Sequence, residues 1–448
     1  LYCLLFILDI LLLQNMVYQD EQKADYRGQI VVARELYPSE LLKIAAQHAE
    51  GLVLFGAGLT AHISILARSL GLPVVLVRDE RVFDIEPGTD LLVDAHRGNV
   101  YVDPDEELAE SVRAALHTFD ASVKVEPREE TCTRDGERVV VMANANIVHD
   151  VRLALSNKAD GIGLYRSEFP FIIRNDFPSE DEQFAVYRRI VTMMDGKVTN
   201  LRTLDIGGDK ILSHRSEREN NPFLGLRGIR FSLANVDLFS EQLRALLRAG
   251  ADTDLRVLLP MISSVDEIRA VRSVLRDCME ELQQEGVSFN DHPKIGAMIE
   301  LPSAVESVRG ISAEVDFLSI GTNDLVMYML AVDRTNQYVG GMYKHHHPAV
   351  LQALWRVAEA AQATETDLSV CGNAAADPDM LPFFLGIGVR SLSVDPRLVP
   401  GAKQAVASLD ARETQKIAAD MLKIDSLAEI EEYLAGMRRR GSPHQAHA

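Results

Sequence analysis

KIGAMIELPSAVESVRGISAEVDFLSIGTND, residues 294–324, decides the fold class of this 448-residue chain. Two apolar runs, IGAMI and FLSIG, enclose a segment long enough for one crossover helix. The first run ends at Glu300 and the second at Asn323 and Asp324, so apolar strands are followed by polar side chains. This order of strand, helix and strand predicts an α/β fold with parallel strands.

The same pattern repeats from about residue 138 to residue 396. Its eight candidate strands are VVVMANAN, GIGLYRSEF, NLRTLDIGG, RVLLPM, KIGAMIELP, DFLSIGTND, LSVCGNAA and SLSVDP. Segments with helical periodicity, such as DEQFAVYRRIVTMM and AVLQALWRVAEAAQ, lie between most of them. Eight such units in about 260 residues predict a (β/α)8 TIM-type barrel, which we assign to residues 138–438. Its last element is expected to be one amphipathic helix over about residues 413–438.

A smaller α/β domain is predicted before the barrel, over residues 28–104. Its candidate strands are QIVVAREL, GLVLFGAG, PVVLV, DLLVDA and NVYVDP, each ended by a turn-forming residue. Residues 105–137 are expected to be a helical linker, and the polar residues 439–448 a disordered tail. We interpret apolar residues 1–27 as the remnant of a linker helix rather than a signal or anchor segment, and the absence of an initial Met suggests a fragment.

The composition excludes several classes of partner. Acidic residues outnumber basic ones by 66 to 46, and the net charge of −20 repels nucleic acid and anionic membrane surfaces. The four cysteines, Cys3, Cys132, Cys278 and Cys371, are far apart and form no CxxC pair. Neither a zinc knuckle nor a disulfide framework is indicated, and a reducing cytoplasmic location is predicted.

Charged side chains are predicted to meet at the carboxyl ends of the barrel strands, where such barrels carry their chemistry. Arg166 and Arg202 end two strands, and Arg227 and Arg334 lie in loops. Because guanidinium groups suit carboxylate and phosphate oxygens, this cluster predicts an anionic substrate. The alternative is that each arginine pairs with a surface carboxylate.

Glu300 and Asp324 follow consecutive strands and form a candidate metal site. Two carboxylates beside phosphate-binding arginines are typical of a partly hydrated Mg²⁺ site. They could instead be structural acids that neutralise the arginines. The run His345–His347 is interpreted as a loop rather than a metal site, because adjacent residues cannot easily converge on one ion and Pro348 follows.

Two further side chains are candidates for chemistry. His62 follows a Gly-rich turn in GAGLTAHISILARSL, and a neutral imidazole can act as a nucleophile. Cys371, at a strand end in LSVCGNAAADP, could donate a proton. The alternatives are a structural histidine and a small buried hydrophobic residue.

Taken together, the motifs resemble one family, Enzyme I of the bacterial phosphoenolpyruvate (PEP)-dependent phosphotransferase system, within the wider PEP-utilising enzymes. The segments that carry the resemblance are GAGLTAHISILARSLGLP, GIGLYRSEFPF, LRTLDIGGDK, NPFLGLRGIR, MIELPSAV, DFLSIGTNDL, LAVDRTN and VCGNAAADP. They run from about residue 28 to residue 400 in the family's order. MIELPSAV and HPAVLQAL are more similar to the nitrogen-related branch than to the sugar-transport branch.

The resemblance implies a Mg²⁺-dependent PEP-protein phosphotransferase. His62 would be phosphorylated on a swivelling domain, and the phosphoryl group would pass to an HPr-like or NPr carrier protein. The resemblance assigns PEP binding to Arg166, Arg202, Arg227, Asn323, Asp324 and Arg334. It assigns Mg²⁺ to Glu300 and Asp324, and proton transfer to the enolate carbon, giving pyruvate, to Cys371. A homodimer through the barrel is also implied.

Three departures from the family pattern leave alternatives open. The chain has no room for the usual carrier-docking or sensory domain. Ala61 stands where sugar-branch relatives have Ser, and Asn373 stands where the family has Glu. A truncated or regulatory PEP-binding homologue is therefore one alternative. An enzyme like pyruvate phosphate dikinase or PEP synthase is another, although nothing here resembles their ATP-grasp domain.

Overall fold

The described part of the chain forms two compact units, which are considered separately. The computed structural model describes residues 26–34, 36, 38–55, 67, 70–95, 98–106, 108–110, 112, 128–172, 177–207, 221–333, 336 and 338–441. Among these residues, no helix is both long and apolar enough to cross a membrane.

The smaller unit contains the five strands predicted for the N-terminal domain. In chain order its elements are β1 (Ile30–Ala33), α1 (Pro38–Ala46), β2 (Gly51–Phe55), β3 (Val74–Val77), β4 (Leu91–Asp94) and β5 (Asn99–Val102). β1, β2 and β3 form a parallel sheet in that order, and β4 pairs with β5 antiparallel. Leu41, Leu52 and Leu54 are buried in its core, which explains the apolar runs. Most of the linker helix predicted after residue 105 lies outside the described residues.

The larger unit is a closed barrel of eight parallel strands, as the sequence predicts. The strands are β6 (Val140–Ala145), β7 (Ile162–Arg166), β8 (Thr199–Arg202), β9 (Arg256–Leu259), β10 (Lys294–Ile299), β11 (Phe317–Gly321), β12 (Asp367–Cys371) and β13 (Ser391–Val394). Each strand pairs with its neighbours in sequence, and β13 closes the barrel on β6. All eight carboxyl ends therefore lie at one mouth.

Helices follow or separate these strands along the chain. They are α2 (Val148–Ser156), α3 (Phe169–Ile172), α4 (Glu180–Met194), α5 (Ile229–Ala234), α6 (Val236–Ala249), α7 (Val265–Gln284), α8 (Pro302–Glu306), α9 (Val308–Ser312), α10 (Thr322–Leu330), α11 (Pro348–Ala363), α12 (Leu381–Gly386), α13 (Val399–Ser408), α14 (Ala411–Met421) and α15 (Leu427–Gly441). The predicted single helix over about residues 413–438 is wrong, because α14 and α15 are separate. Asp425 and Ser426 lie in the break, and such side chains favour helix starts over helix interiors.

The barrel interior contains an apolar layer of buried side chains. Leu164, Leu258, Met298 and Phe317 pack there together with Cys371. Gly296 makes room for this layer, because a Cβ at that position would come within 2.3 Å of the Phe317 ring. The layer therefore packs tightly around position 296.

Lys403, on α13, is fully buried and joins two segments of the larger unit. Its Nζ donates to the carbonyl oxygens of Arg128 at 3.0 Å, Glu129 at 3.0 Å and Lys158 at 2.6 Å. It also pairs with Asp160 Oδ1 at 2.8 Å. A buried ammonium is tolerated only with such a complete set of acceptors, so this contact fixes residues 128–129 against the barrel.

Candidate active site

Side chains predicted to carry chemistry lie at the carboxyl ends of the barrel strands. Arg166 and Arg202 are the last residues of β7 and β8 and are direct partners in the register of those strands. Glu300 comes directly after β10, and Cys371 is the last residue of β12. Asp324 lies in the first turn of α10, just past β11. Parallel register therefore brings these five residues to one mouth.

A buried charge network links two of the arginines to carboxylates. Arg202 Nη2 donates to Glu168 Oε1, and Arg202 Nη1 lies 3.2 Å from Asp205 Oδ2. Arg227 donates from Nε to Asp205 Oδ1 at 3.0 Å and from Nη2 to Asp324 Oδ2 at 2.8 Å. These arginines thus have carboxylate partners, as the alternative interpretation expected, but the partners lie at the mouth rather than on the outer surface of the barrel.

The carboxylates also keep the arginines charged. Burial opposes the charge on the Arg202 guanidinium, yet Glu168 and Asp205 hold its pKa above the ordinary value. Burial likewise lowers the pKa of Arg227, but the negative charges of Asp205 and Asp324 outweigh burial and raise this pKa above its ordinary value. Both side chains are therefore fixed cations before any ligand arrives.

Glu300 is a buried carboxylate surrounded by other acids. Its Oε1 accepts the backbone N–H of Met261 at 2.6 Å. Burial raises the pKa of Glu300, and the negative charges of Asp324 and Asp205 raise it further. A divalent cation between Glu300 and Asp324 would offset this repulsion, so the two residues fit a Mg²⁺ that takes its other ligands from substrate and water. Within the described residues, no group of three or more His, Cys, Asp or Glu side chains is arranged to hold a metal ion.

Asn323 is oriented by the turn that follows β12. Its Oδ1 accepts the backbone N–H of Asn373 at 2.9 Å, and its carbonyl accepts the Tyr343 hydroxyl at 2.9 Å. Gly372 has a φ of +92°, and a Cβ there would lie 2.3 Å from Thr322 Oγ1. The backbone N–H of residue 373, which every residue except proline carries, therefore helps to orient Asn323.

Cys371 is buried, and its sulfur has two polar contacts. Its Sγ lies 3.4 Å from the Ile320 carbonyl, and the Ser319 hydroxyl donates to the sulfur at 3.7 Å. Burial raises the pKa of the Cys371 thiol. The thiol therefore stays protonated at neutral pH, the form that a proton donor requires.

Comparison with known proteins identifies the family. The family described as "PEP-utilising enzyme, PEP-binding domain" matches residues 120–411, and "PEP-utilising enzyme, mobile domain" matches residues 26–98. The chain belongs to the PEP-utilising enzymes.

Curated relatives of this PEP-utilising enzyme carry a more specific name. A phosphoenolpyruvate-protein phosphotransferase of Haloferax volcanii is 39% identical over 427 residues, covering 93% of this chain and 74% of that protein. One of Haemophilus influenzae is 37% identical, covering 90% and 71%. A protein of Escherichia coli named "phosphoenolpyruvate-dependent phosphotransferase system" is 36% identical, covering 92% of this chain and 56% of that protein. The PEP-utilising enzyme described here is accordingly a transferase.

Two predicted site residues, His62 and Arg334, lie outside the described residues. Two further residues at the site, Glu168 and Tyr328, were not predicted from the sequence. Glu168 is buried against Arg202. The Tyr328 hydroxyl lies 3.3 Å from Arg227 Nη1. Glu168 lies two residues after Arg166 in the segment GIGLYRSEF. Its position just beyond a strand end could have predicted that it lies at the mouth of the barrel. Tyr328 lies within the apolar α10, and no sequence pattern separates it from a core residue.

Proposed function

We propose that the chain catalyses Mg²⁺-dependent transfer of the phosphoryl group of PEP to His62, giving pyruvate, and passes the group to a phosphocarrier protein. In this proposal, residues 28–104 are the phosphohistidine domain and residues 138–438 the PEP-binding barrel. The observation that carries it is the network of Arg202, Arg227, Asp205 and Asp324, with buried Glu300 beside it, at the mouth of a barrel that belongs to the PEP-utilising family.

In the proposed mechanism, Arg166, Arg202, Arg227 and Arg334 bind the carboxylate and phosphate oxygens of PEP, and Asn323 and Asp324 complete the binding site. Arg202 and Arg227 need no reorganisation to do so, because buried carboxylates already hold their guanidinium groups. Such preorganised charge lowers the barrier to phosphoryl transfer, which depends mainly on positioning and charge neutralisation.

Glu300 and Asp324 are the proposed Mg²⁺ ligands. When bound, the ion would supply positive charge against the phosphate and enolate oxygens of the substrate. The raised pKa of Glu300, caused by burial and by neighbouring acids, supports this assignment, since a cation would favour the ionised carboxylate. Asp324 is meanwhile aligned by its hydrogen bond from Arg227.

The chemical step exchanges one bond to phosphorus for another. A ring nitrogen of His62 attacks the phosphorus as the bond from phosphorus to the enolate oxygen breaks. Cys371 then gives its proton to the methylene carbon of the enolate, so that pyruvate forms and the thiolate regains a proton from water. The protonated state of the buried thiol supports this role.

We further propose an HPr-like or NPr carrier as the acceptor, with the nitrogen-related branch favoured by MIELPSAV and HPAVLQAL. A homodimer through the barrel and a cytoplasmic location belong to the same proposal. Phosphate transfer from the labelled chain to purified HPr or NPr would separate the two carriers. A strong preference for HPr would contradict the branch assignment.

The phosphorylation is tested by incubating the full chain with Mg²⁺ and ³²P-labelled PEP. Acid-labile, base-stable label is expected on His62, and His62→Ala should abolish it. His292→Ala, at an exposed histidine, is the matched control and should keep the label. Label that persists in His62→Ala would remove His62 from the mechanism.

A second measurement distinguishes the proposed enzyme from a PEP-binding homologue without turnover. Isotope exchange between pyruvate and PEP requires the complete, reversible reaction at His62. Binding of PEP without any exchange would favour the non-catalytic alternative.

A further inference from the structure

We propose that the opposite, N-terminal mouth of the barrel is a second ligand site, which binds a small organic carboxylate that also carries a hydroxyl or amino donor. A cavity of about 370 Å³ lies there. It is lined by the first residues of strands β6, β9, β11, β12 and β13 and by the inner face of α11. Its volume falls within the range of small-molecule sites.

This cavity is separate from the catalytic mouth. On β8, its lining residue Asn200 precedes Arg202 by two positions, and on β12 Ser369 precedes Cys371 by two. Neither Arg202 nor Cys371 lines the cavity. A ligand in the cavity would therefore not occupy the proposed PEP site.

Arg256 supplies a cation with unused hydrogen-bonding capacity. Its Nε is buried and makes no hydrogen bond to any described residue. The nearest acids are Asp254, 3.6 Å from Nε, and Asp367, 3.6 Å from Nη1, both beyond hydrogen-bond distance. Asp367 is 74% exposed, so its attraction to the guanidinium is weakened by water. A ligand carboxylate could bind Arg256 more closely than either acid does.

Asn200 supplies an unused acceptor beside this donor. The residue is only 2% exposed, and its Nδ2 donates to the Gly163 carbonyl at 3.0 Å. Its Oδ1 accepts no hydrogen bond within the described part of the chain. Asn200 is the direct register partner of Arg256 across β8 and β9. A buried acceptor without a hydrogen bond, next to a cation whose Nε also makes none, suits a ligand that offers a donor and a carboxylate together.

The remaining walls define the body of the ligand. Val140, Met142, Phe317 and Ala361 contribute apolar surface. The second lining arginine, Arg390, is already held by Glu137 at 2.7 Å and by the Leu385 carbonyl at 2.7 Å. Arg256 is therefore the residue that binds the carboxylate, and a short hydrocarbon body fills the apolar part.

Methionine-methyl NMR of the full chain can test this site, because Met142 lines the cavity and Met261 lies at the catalytic mouth. The probe is 2-hydroxyisocaproate, and the Met142 signal is assigned with Met142→Leu. A saturable shift of Met142, without a shift of Met261, is expected. Isocaproate, which lacks the hydroxyl, and 2-hydroxyisocaproamide, which lacks the charge, should each bind about tenfold more weakly or worse.

Arg256→Gln should abolish the Met142 shift, whereas Arg269→Gln, at an exposed ion pair, should leave it unchanged. Arg256→Lys keeps the charge without Nε and should bind about tenfold more weakly, which covers the case in which the Gln variant does not fold. Phosphorylation by PEP should persist in these variants. An absent Met142 shift, or one that survives in Arg256→Gln, would overturn the proposal and leave a water-filled cavity.

Discussion

Arg227 donates two parallel hydrogen bonds to Asp205, from Nε to Oδ1 at 3.0 Å and from Nη2 to Oδ2 at 3.0 Å. The same guanidinium reaches Asp324 Oδ2 at 2.8 Å. One arginine thus aligns a structural carboxylate with a proposed magnesium ligand. Because a bidentate pair fixes the plane of the guanidinium, Asp205 controls where the other charges of the mouth lie.

Asp205→Asn should disturb both arginines at once, since the amide removes the charge that Arg202 and Arg227 share. Breaking a buried pair leaves uncompensated charge, so we expect a loss of about 3 kcal/mol in the free energy of unfolding. We also expect at least about a tenfold loss in the rate of PEP-dependent phosphorylation. Urea unfolding and ³²P labelling provide the measurements.

Glu314→Gln is the matched control, because it breaks the more exposed pair with Arg269. Its expected cost is below about 1 kcal/mol. Equal losses of stability in the two variants would show that the buried network contributes no more to the free energy of unfolding than an exposed ion pair does.

Cys371→Ser should slow proton delivery to the enolate by about 10²-fold or more, because a hydroxyl is a much weaker acid than a thiol. PEP binding should be nearly unchanged. The pH dependence has a definite sign: burial raises the pKa of Cys371, so the protonated donor persists through neutrality and is lost only as pH rises above the ordinary thiol range. Exchange of pyruvate with PEP, measured from neutral to alkaline pH, tests both points. A loss of activity in the wild type as pH rises from 6 to about 8 would contradict this assignment to the thiol.

Gly372→Ala should displace Asn323 and strongly reduce phosphorylation, since its Cβ would lie 2.3 Å from Thr322 Oγ1 and 3.0 Å from Asn323 Oδ1. Gly286→Ala is the control: its φ of +70° is also left-handed, but nothing lies within 4 Å of the added Cβ. Both variants should lose about 1–2 kcal/mol of stability from backbone strain. Only Gly372→Ala should lose activity, and similar activity in the two would exclude a role for this turn in orienting Asn323.

Lys403→Met should cost about 3–5 kcal/mol in the free energy of unfolding, because Asp160 and three carbonyl oxygens lose their shared donor. Lys423→Met, which removes an exposed pair with Asp420, should cost less than about 1 kcal/mol. Chemical denaturation of both variants gives the comparison. If Lys403→Met is as stable as the control, the buried contact does not hold residues 128–129 in place.

The strands and their polar ends could be predicted because both are local properties of the sequence. Apolar runs such as IGAMI are buried in the barrel, and parallel pairing brings Arg166, Arg202 and Cys371 to one mouth. The number and order of strands followed from the repeat alone. The division between α14 and α15 was missed, because the break between Met421 and Leu427 is short and Asp425 and Ser426 are its main sequence signal.

The partners of the charged residues could not be predicted, because they are distant along the chain. Asp324 is 97 residues from Arg227, and Asp160 is 243 residues from Lys403. No local pattern marks Lys403 as buried. The unpaired atoms of Asn200 and Arg256 likewise appear only when the packing around them is known.

The apolar layer inside the barrel limits the groups that can exchange a proton with Cys371. Leu164, Leu258, Met298 and Phe317 belong to the same buried cluster, and none of these side chains can relay a proton. The polar contacts of the sulfur are the buried Ser319 hydroxyl and the Ile320 carbonyl. In the proposed mechanism, a substrate bound at the mouth would isolate the thiol from water for one turnover. If the enzyme is moved into deuterium oxide together with substrate, the first methyl group formed would carry the hydrogen that the thiol held before binding. The isotope in that methyl group would therefore be that of the solvent that surrounded the enzyme before it bound substrate.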